Sequence, residues 1–372
     1  MTVTASSLYQ ELQRGMDAGL HVGAQVYVSR AGAPVADFAI GDREVGAPMQ
    51  PDTLVCWLSA SKPLTALAVA QLFEEGAINL DGFVARYVPG FEAQGKSDIT
   101  LRHLLTHTAG LRKVRFRFPE DDWQTIIKKI CEAAPEWPAG EKAAYHPHTS
   151  WFILAEVVQR VTEKSISQYV RDHLLAPLEM HDTHLGMAEQ AYDAYVAGGR
   201  LGQIIDTSRS SPRPHVFAEM EHVTMPKPGG NAFGPMRELG RLYEMLLQGG
   251  QLDGPRVLEP ETIELFTAPQ RMGMYDHTFQ HTIDWGLGFI CDSKHHVTAT
   301  DSTADANVPY GYGPHASSRT FGHSGWQSCA AFCDPQHQLV VALHLNGTPG
   351  EKPHYKRVHQ ILGTLYEELE LK

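Results

Sequence analysis

Ser59 and Lys62 are the residues of this chain best suited to do chemistry, and they stand three positions apart. A serine hydroxyl is a weak nucleophile at its ordinary pKa, so it needs a proton acceptor within hydrogen-bond reach. Side chains three apart on a helix share one face, which lets the Lys62 amine reach the Ser59 hydroxyl. The pair predicts covalent acyl transfer, with Ser59 as nucleophile and Lys62 as its base.

A helix is predicted directly after this pair. Apolar residues recur at helical spacing, Pro63 suits a first turn, and Gly76 suits the stop. Ser59 is therefore expected at a helix N-terminus, where free backbone amides and the positive end of the helix dipole favour an oxyanion and a neutral lysine. The neighbouring hydroxyl of Ser61 is expected to cap the helix by accepting a backbone N–H.

Composition indicates a soluble globular protein that acts on small molecules. The 372 residues are 42% hydrophobic and 20% charged, with a formal net charge of -12 from 31 basic and 43 acidic side chains. An acidic balance argues against nucleic acid or an anionic membrane as the main partner. Five scattered cysteines without a Cys-x-x-Cys pair indicate reduced structural thiols.

The sequence also predicts a cytoplasmic location. Residues 1–7 lack the basic region and apolar core of a secretory signal. No stretch of the sequence approaches the roughly 18 consecutive apolar residues that a membrane helix needs. The sequence carries no signal of an oligomeric state.

The order of helix and strand patterns predicts an α+β fold with two lobes. A hairpin is expected over 25–40 and a second strand pair over 328–345, each beside a terminal amphipathic helix. The economical packing joins residues 1–80 and 270–372 into one antiparallel sheet flanked by the terminal helices. Residues 81–269 are then an inserted, mostly helical lobe, with the active-site cleft between the two. The clearest helices are predicted over 151–161 and 236–247.

Several stretches carry a family resemblance. Residues 58–63 match a Ser-x-x-Lys motif, residues 99–111 match a structural signature, Tyr145 opens a second motif, and residues 323–325 read as a third in the form His-x-Gly. In this order the motifs resemble the serine β-lactamase and penicillin-recognising family, in the class C-like branch of family VIII-type esterases, D-aminopeptidases and related acyltransferases. The resemblance implies a β-lactamase/transpeptidase-like fold and a serine hydrolase that needs no cofactor.

The resemblance also implies a role for the phenol. Tyr145 would lie against Ser59 and Lys62, where a cationic lysine lowers its pKa and lets it pass a proton to the leaving group. Whether Lys62 or Tyr145 takes the first proton stays open at this point.

The third motif implies a substrate-binding strand. The resemblance makes His323, Ser324, Gly325 and Trp326 part of an edge strand lining the cleft, with Gly325 allowing close approach of the substrate. The backbone amides of Ser59 and Trp326 would form the oxyanion hole. His323 is expected to hydrogen-bond within the site and to contact substrate.

One departure from the family pattern bears on the substrate. The second motif usually reads Tyr-x-Asn or Tyr-x-Ser, but here Pro147 stands in the third place and has neither a side-chain donor nor an N–H. Efficient β-lactam hydrolysis is therefore disfavoured. Cleavage of a small-molecule ester or small amide is preferred, because an ester needs less recognition and has a better leaving group.

Other functions stay open beside ester hydrolysis. An acyltransferase of secondary metabolism would use the same acyl-enzyme, with Trp326 and the loops at 200–230 and 292–320 excluding water. A D-aminopeptidase, a weak β-lactamase and a catalytically silent binding protein are further alternatives. A nucleophile elbow of the α/β-hydrolase type is disfavoured, since residues 322–326 lack its final glycine.

Twenty histidines raise the question of a metal site. His103 and His107 are four apart, and His146 and His148 alternate, yet the chain has no His-Glu-x-x-His. The sequence therefore predicts a site without metal.

Overall fold

The structure, a computed structural model, describes residues 6–297 and 308–372. Residues 1–5, which carry most of the segment used to predict the absence of a secretory signal, lie outside the described residues, as do residues 298–307 of the 292–320 loop. Within the described ranges, none of the helices combines the length and the hydropathy that crossing a membrane requires.

The described residues form eleven α-helices and fourteen strands. The helices are α1 Ser7–Asp17, α2 Lys62–Glu74, α3 Leu101–Leu105, α4 Trp123–Glu132, α5 Thr149–Thr162, α6 Ile166–Val170, α7 Glu189–Ala197, α8 Met220–Thr224, α9 Met236–Leu247, α10 Pro260–Thr267 and α11 Glu351–Glu368. The strands are β1 Gly23–Arg30, β2 Ala33–Glu44, β3 Ala47–Pro48, β4 Val55–Cys56, β5 His184–Leu185, β6 Ile205–Asp206, β7 Arg213–Pro214, β8 Ala232–Gly234, β9 Tyr275–Asp276, β10 His281–Thr282, β11 Ile290–Cys291, β12 Phe321–Gly325, β13 Cys329–Asp334 and β14 Leu339–Leu345.

Both ends of the chain build the main sheet. Its strand order is β11-β12-β13-β14-β1-β2-β3, and every neighbouring pair is antiparallel. Strands β1 and β14 join the two ends along their whole length, from Ala24 opposite Leu345 to Arg30 opposite Leu339. The predicted antiparallel sheet is confirmed.

The two faces of the sheet bury different helices. Side chains alternate along a strand, so Val26 and Val28 of β1 share a core with the terminal helices α1 and α11, whereas Tyr27 points to the other face. Helix α9 packs there, and a Cβ on its Gly240 would lie 2.2 Å from the Tyr27 ring. The predicted cover of terminal helices is confirmed, and glycine at 240 is required by the close approach of α9.

The remaining helices surround α2, whose residues are buried on nearly all sides and which packs against α5. Such all-round burial fits its apolar sequence. As predicted, helix α2 has Pro63 in its first turn and ends shortly before Gly76, whose φ is 71°. Helices α5 and α9 match the other two predicted helices. The predicted division into two lobes, one of residues 1–80 and 270–372 and the other of residues 81–269, stays a prediction. Helix α9 belongs to the predicted second lobe, yet it packs on the sheet of the first.

Candidate active site

Ser59 lies on a short 3₁₀ turn, Leu58–Ser61, that leads directly into α2. The turn is entered through Leu58 with φ of 48°, a left-handed conformation that is uncommon for a non-glycine residue. Trp57 anchors it, because the Trp57 indole N–H donates to the carbonyl of Gly234 at 2.9 Å and its backbone N–H donates to Ala232. The nucleophile is thus held one turn ahead of the α-helix.

The predicted capping role of Ser61 is wrong. Its backbone already has helical angles, and its hydroxyl donates back to the Leu58 carbonyl at 2.6 Å while accepting the Ala232 N–H at 2.9 Å. The Ser61 side chain therefore ties the nucleophile turn to strand β8 instead of capping α2.

The structure brings the three predicted catalytic side chains together. Lys62 Nζ lies 3.0 Å from Ser59 Oγ, and the Tyr145 hydroxyl lies 2.6 Å from the same atom. Lys62 also donates to the Gly229 carbonyl at 2.6 Å. Ser59 Oγ is therefore within hydrogen-bond distance of two groups that exchange protons.

Burial favours the neutral form of the Lys62 amine. Lys62 is 0% exposed, and it forms no ion pair with any carboxylate in the described residues. Because charging an amine in a dry interior is costly, burial lowers the pKa of Lys62 well below its ordinary 10.5. The rings of Tyr145 and Trp151 lie 5.0 and 5.5 Å from Nζ and keep water away from it.

The expected lowering of the Tyr145 pKa is wrong. Burial raises the pKa of the Tyr145 phenol, and the hydrogen bond with Ser59 only partly opposes this rise. The expectation assumed a cationic Lys62, whereas a buried amine favours its neutral form and gives no positive charge to stabilise a phenolate. Burial therefore favours the neutral form of both groups beside Ser59 Oγ, the amine and the phenol.

Asp276 positions Tyr145 and was not found from the sequence. Its Oδ1 accepts the backbone N–H groups of Tyr145 at 3.1 Å, Thr278 at 2.9 Å and Phe279 at 3.2 Å. Its other oxygen lies 3.2 Å from Nη1 of Arg271, in an ion pair that is almost fully buried. No motif or spacing in the sequence relates these residues to Tyr145, so only the folded structure identifies them.

Removing this carboxylate is expected to destabilise the fold. Asp276→Ala leaves Arg271 buried and unpaired, which should lower the free energy of unfolding by about 3 to 5 kcal/mol. The exposed pair of Lys128 and Glu132 on α4 offers a control, since Glu132→Ala should cost less than about 1 kcal/mol. Urea titrations of the three proteins measure the difference, and equal small losses in both variants would contradict this reading.

Strand β12 forms one wall of the site. It is not the edge of the sheet, as the resemblance implied, because β11 pairs with it through Ile290 and Cys291. Those two residues face only Gly322 and Phe321, so the stretch with His323 and Ser324 has no partner strand on that side within the described sheet. The strand is therefore covered at one end and open where it borders Ser59.

The third-motif side chains differ in how they meet the site. His323 is buried, its Nδ1 lies 2.9 Å from the Ser324 carbonyl, and burial lowers its pKa so that the ring is neutral. The Ser324 hydroxyl makes a long 3.4 Å contact with the Tyr310 carbonyl. His323, Ser324 and Trp326 all border the cavity beside Ser59, and Trp326 is the most exposed of them at 40%.

Gly325 packs closely against the backbone that leads into the turn Leu58–Ser61. Its lack of a side chain is therefore needed for packing within the protein as well as for space beside the substrate. A Cβ added there would lie 2.5 Å from the Trp57 carbonyl oxygen and 3.2 Å from Leu58. The backbone amides of Ser59 and Trp326 flank this contact, and neither donates a hydrogen bond to another group in the part of the chain that is described. Their assignment to an oxyanion hole stays a prediction, and it requires both N–H groups to be without a partner, as they are among the described residues.

Two cavities border the nucleophile and share Ser59, Pro147 and Trp326. The first, of about 440 Å³, has a largely aromatic lining, and the second, of about 380 Å³, is more basic. The first is further lined by Tyr145, Thr278, Phe279, Gln280, Ile290, Tyr310, His323, Ser324, Glu351 and Tyr355. The second is further lined by Cys56, Leu58, Phe118, His148, Phe217, His222, Lys227, Gly230 and Asn231.

The histidines considered as metal ligands have other contacts. His103 Nδ1 accepts the Thr100 backbone N–H at 3.2 Å in a helix cap. His107 Nδ1 accepts the His146 backbone N–H at 3.0 Å, and its ring packs 4.8 Å from that of Tyr145. His107 therefore supports the phenol through packing, a role that its spacing from His103 did not suggest.

Potential metal ligands do meet elsewhere in residues 6–297 and 308–372. Their ligand atoms lie within 4.8 Å of one another in two groups, Asp284 with His295 and His296, and Glu219 with Glu221 and His222. Neither group includes Ser59, Lys62 or Tyr145. His222 of the second group nevertheless lines the second cavity together with Ser59.

Comparisons with known proteins identify the family and the fold. The Beta-lactamase family model matches residues 9–365. The esterase/beta-lactamase LipL of Mycobacterium tuberculosis is 27% identical over 347 aligned residues, covering 86% of this chain and 76% of that protein. A penicillin-binding protein homologue from Caulobacter crescentus superimposes with a TM-score of 0.79 at 26% identity, covering 97% of this chain and 96% of that chain. A family VIII carboxylesterase shares the fold, with a TM-score of 0.77 at 24% identity and 96% of each chain covered. The chain therefore belongs to the β-lactamase family, as its motifs predicted, and has the β-lactamase/transpeptidase-like fold.

Proposed function

We propose that the protein is a serine hydrolase that cleaves carboxylic esters, or small amides, through an acyl-enzyme on Ser59. One observation carries this proposal: Ser59 Oγ is shared between the buried amine of Lys62 at 3.0 Å and the phenol of Tyr145 at 2.6 Å. A hydroxyl so placed can lose its proton to one group while the other supplies a proton to the leaving group.

In the proposed acylation step, neutral Lys62 is the first base. It takes the Ser59 proton as Oγ attacks the ester carbonyl carbon, and the Ser59 and Trp326 amides receive the oxyanion. The C–O bond then breaks while the Tyr145 hydroxyl protonates the departing alkoxide, and the Lys62 ammonium returns its proton to the phenolate. Water repeats the sequence on the acyl-enzyme and releases the acid. The lowered Lys62 pKa and raised Tyr145 pKa support this order.

Ester substrates fit the surroundings of Ser59 better than β-lactams. Pro147 lines both cavities and offers no donor where a carboxamide or hydroxyl side chain would hold a substrate amide. The aromatic lining of the first cavity, with Phe279, Tyr310 and Tyr355, suits an apolar acyl or alcohol group. Weak β-lactam turnover and D-aminopeptidase activity rank below ester hydrolysis for this reason.

A fluorophosphonate probe tests the activated nucleophile. We expect the native protein to gain the mass of one adduct, which peptide mapping places on Ser59, and the heat-denatured protein to gain none. An unlabelled Ser59 would refute the proposal in favour of a catalytically silent binding protein.

Acyl transfer is a second candidate, favoured by the two cavities that meet at Ser59. One could hold the acyl chain while the other admits an acceptor other than water. Product analysis of ester turnover with added alcohols or amines separates the two activities. Hydrolysis gives the free acid alone, whereas a transferase gives mostly the new ester or amide.

A further inference from the structure

The second cavity beside Ser59 holds a buried cation that the proposed chemistry does not use. Lys227 is only 7% exposed and lines this cavity together with Ser59 and Trp326. Its backbone N–H donates to Asn231 Oδ1 at 2.7 Å, and the Asn231 amide group donates to the carbonyls of His222 and Met225. The Lys227 backbone is therefore fixed in place.

The ammonium of Lys227 lacks an anionic partner in the described parts of the chain. Its Nζ lies 3.0 Å from His222 Nδ1 and 3.4 Å from the His222 carbonyl, and 4.9 Å from the centre of the Phe118 ring. An ammonium has three N–H donors, so these contacts leave one without an acceptor. Such a group gains from any anion that enters the cavity.

No carboxylate lines the second cavity among the described residues. Burial and the nearby lysines lower the pKa of His148 to about 3, so this ring is neutral. Glu219 and Glu221 are exposed and their carboxylates lie near the His222 ring, but neither forms an ion pair with Lys227 in the described residues. Burial has the largest effect on the pKa of Lys227 and lowers it to about 8, although Glu221 is close enough to raise it.

We propose that Lys227 binds an anionic group of the substrate, so that the preferred substrates are esters or small amides carrying a carboxylate. This inference rests on the proposed Ser59 hydrolase. A substrate whose carbonyl carbon lies at Ser59 can extend one of its two sides into the second cavity and form a charge-assisted hydrogen bond with the free N–H of Lys227.

Two matched ester pairs test both sides of the substrate. The 4-nitrophenyl monoester of glutaric acid and 4-nitrophenyl pentanoate differ by a carboxylate on the acyl side. The acetate ester of 3-(4-hydroxyphenyl)propanoic acid and 4-propylphenyl acetate differ in the same way on the leaving-group side. For at least one pair, we expect the wild-type kcat/KM to be higher for the carboxylated ester than for the neutral one. In that pair, Lys227→Met should lower the ratio of the carboxylated to the neutral kcat/KM by about 10- to 100-fold.

Lys164→Met is the matched control. Lys164 Nζ also lies 3.0 Å from a histidine ring nitrogen, that of His173, but it lines neither cavity at Ser59. This variant should keep the wild-type ratio, and Lys227→Arg should retain more of the preference than Lys227→Met. If Lys227→Met does not fold, the wild-type preference and Lys227→Arg decide the matter.

The inference is overturned if wild-type protein treats both members of both pairs alike, or if the ratio does not respond to Lys227. Its failure is distinct from failure of the proposed hydrolase. Ser59-dependent turnover of the two neutral esters measures the hydrolase without any contribution from a substrate carboxylate.

Discussion

Ser59→Ala is expected to lower kcat/KM for a neutral aryl ester on the order of 10⁶-fold, which is the scale of losing the nucleophile of a serine hydrolase. The reason is geometric, because no other hydroxyl is shown between Lys62 and Tyr145 in the described residues. Within the described residues the Ser59 side chain bonds to those two groups alone, so the fold should stay intact. Steady-state kinetics with circular dichroism and a urea midpoint measure both effects.

The exposed Ser97 supplies a control for this substitution. In the part of the chain that is described, its hydroxyl bonds only to the neighbouring Asp98, so Ser97→Ala should keep wild-type turnover. Turnover by Ser59→Ala within tenfold of wild type would show that another residue attacks the ester.

Lys62→Met is expected to lower kcat/KM about 10³-fold with little change in stability. General-base catalysis contributes on the order of 10² to 10⁴ in rate, and Met keeps the length of the side chain while removing the amine. Lys62 is fully buried without an ionic partner in the described residues, so an apolar replacement removes the cost of burying the amine but leaves the Gly229 carbonyl without its donor. These two effects oppose each other, so the urea midpoint should change little. A large fall in stability with little change in rate would instead make Lys62 a structural residue.

The same base predicts the direction of the pH dependence. In the proposed mechanism Lys62 acts as the neutral amine, and burial lowers its pKa well below its ordinary 10.5, so activity should fall as acid protonates it. Between pH 7 and 9, kcat/KM should therefore rise less than it would for a base with an ordinary lysine pKa. A base with an ordinary lysine pKa would make kcat/KM rise about tenfold per pH unit over this range, and such a rise would contradict the assignment.

The parts of the site that follow from local geometry could be predicted from the sequence. Ser59 and Lys62 are three residues apart at the start of a helix, so their contact at 3.0 Å needs no distant part of the fold. Tyr145 is 86 residues away from Ser59 and was found only because a family motif contains it. Helix α9 was bounded correctly because its apolar residues repeat at helical spacing.

The contacts that residues far apart in the sequence make at the site could not be predicted. Asp276 is 131 residues from Tyr145, and Gly229 is 167 residues from Lys62, with no pattern linking either pair. The direction of the Tyr145 pKa shift was wrong because burial, which decides it, is a property of the folded protein. The Ser61 hydroxyl was misassigned for a similar reason, since its partner on β8 comes from a distant part of the chain.

A covalent intermediate on Ser59 is the central claim, and rapid mixing with an aryl ester followed by intact-mass analysis tests it most directly. We expect a burst of the phenol close to one equivalent per chain and a protein species heavier by the acyl group, with the added mass on Ser59. Steady turnover without a burst, and with no acylated protein at any time after mixing, would contradict the account.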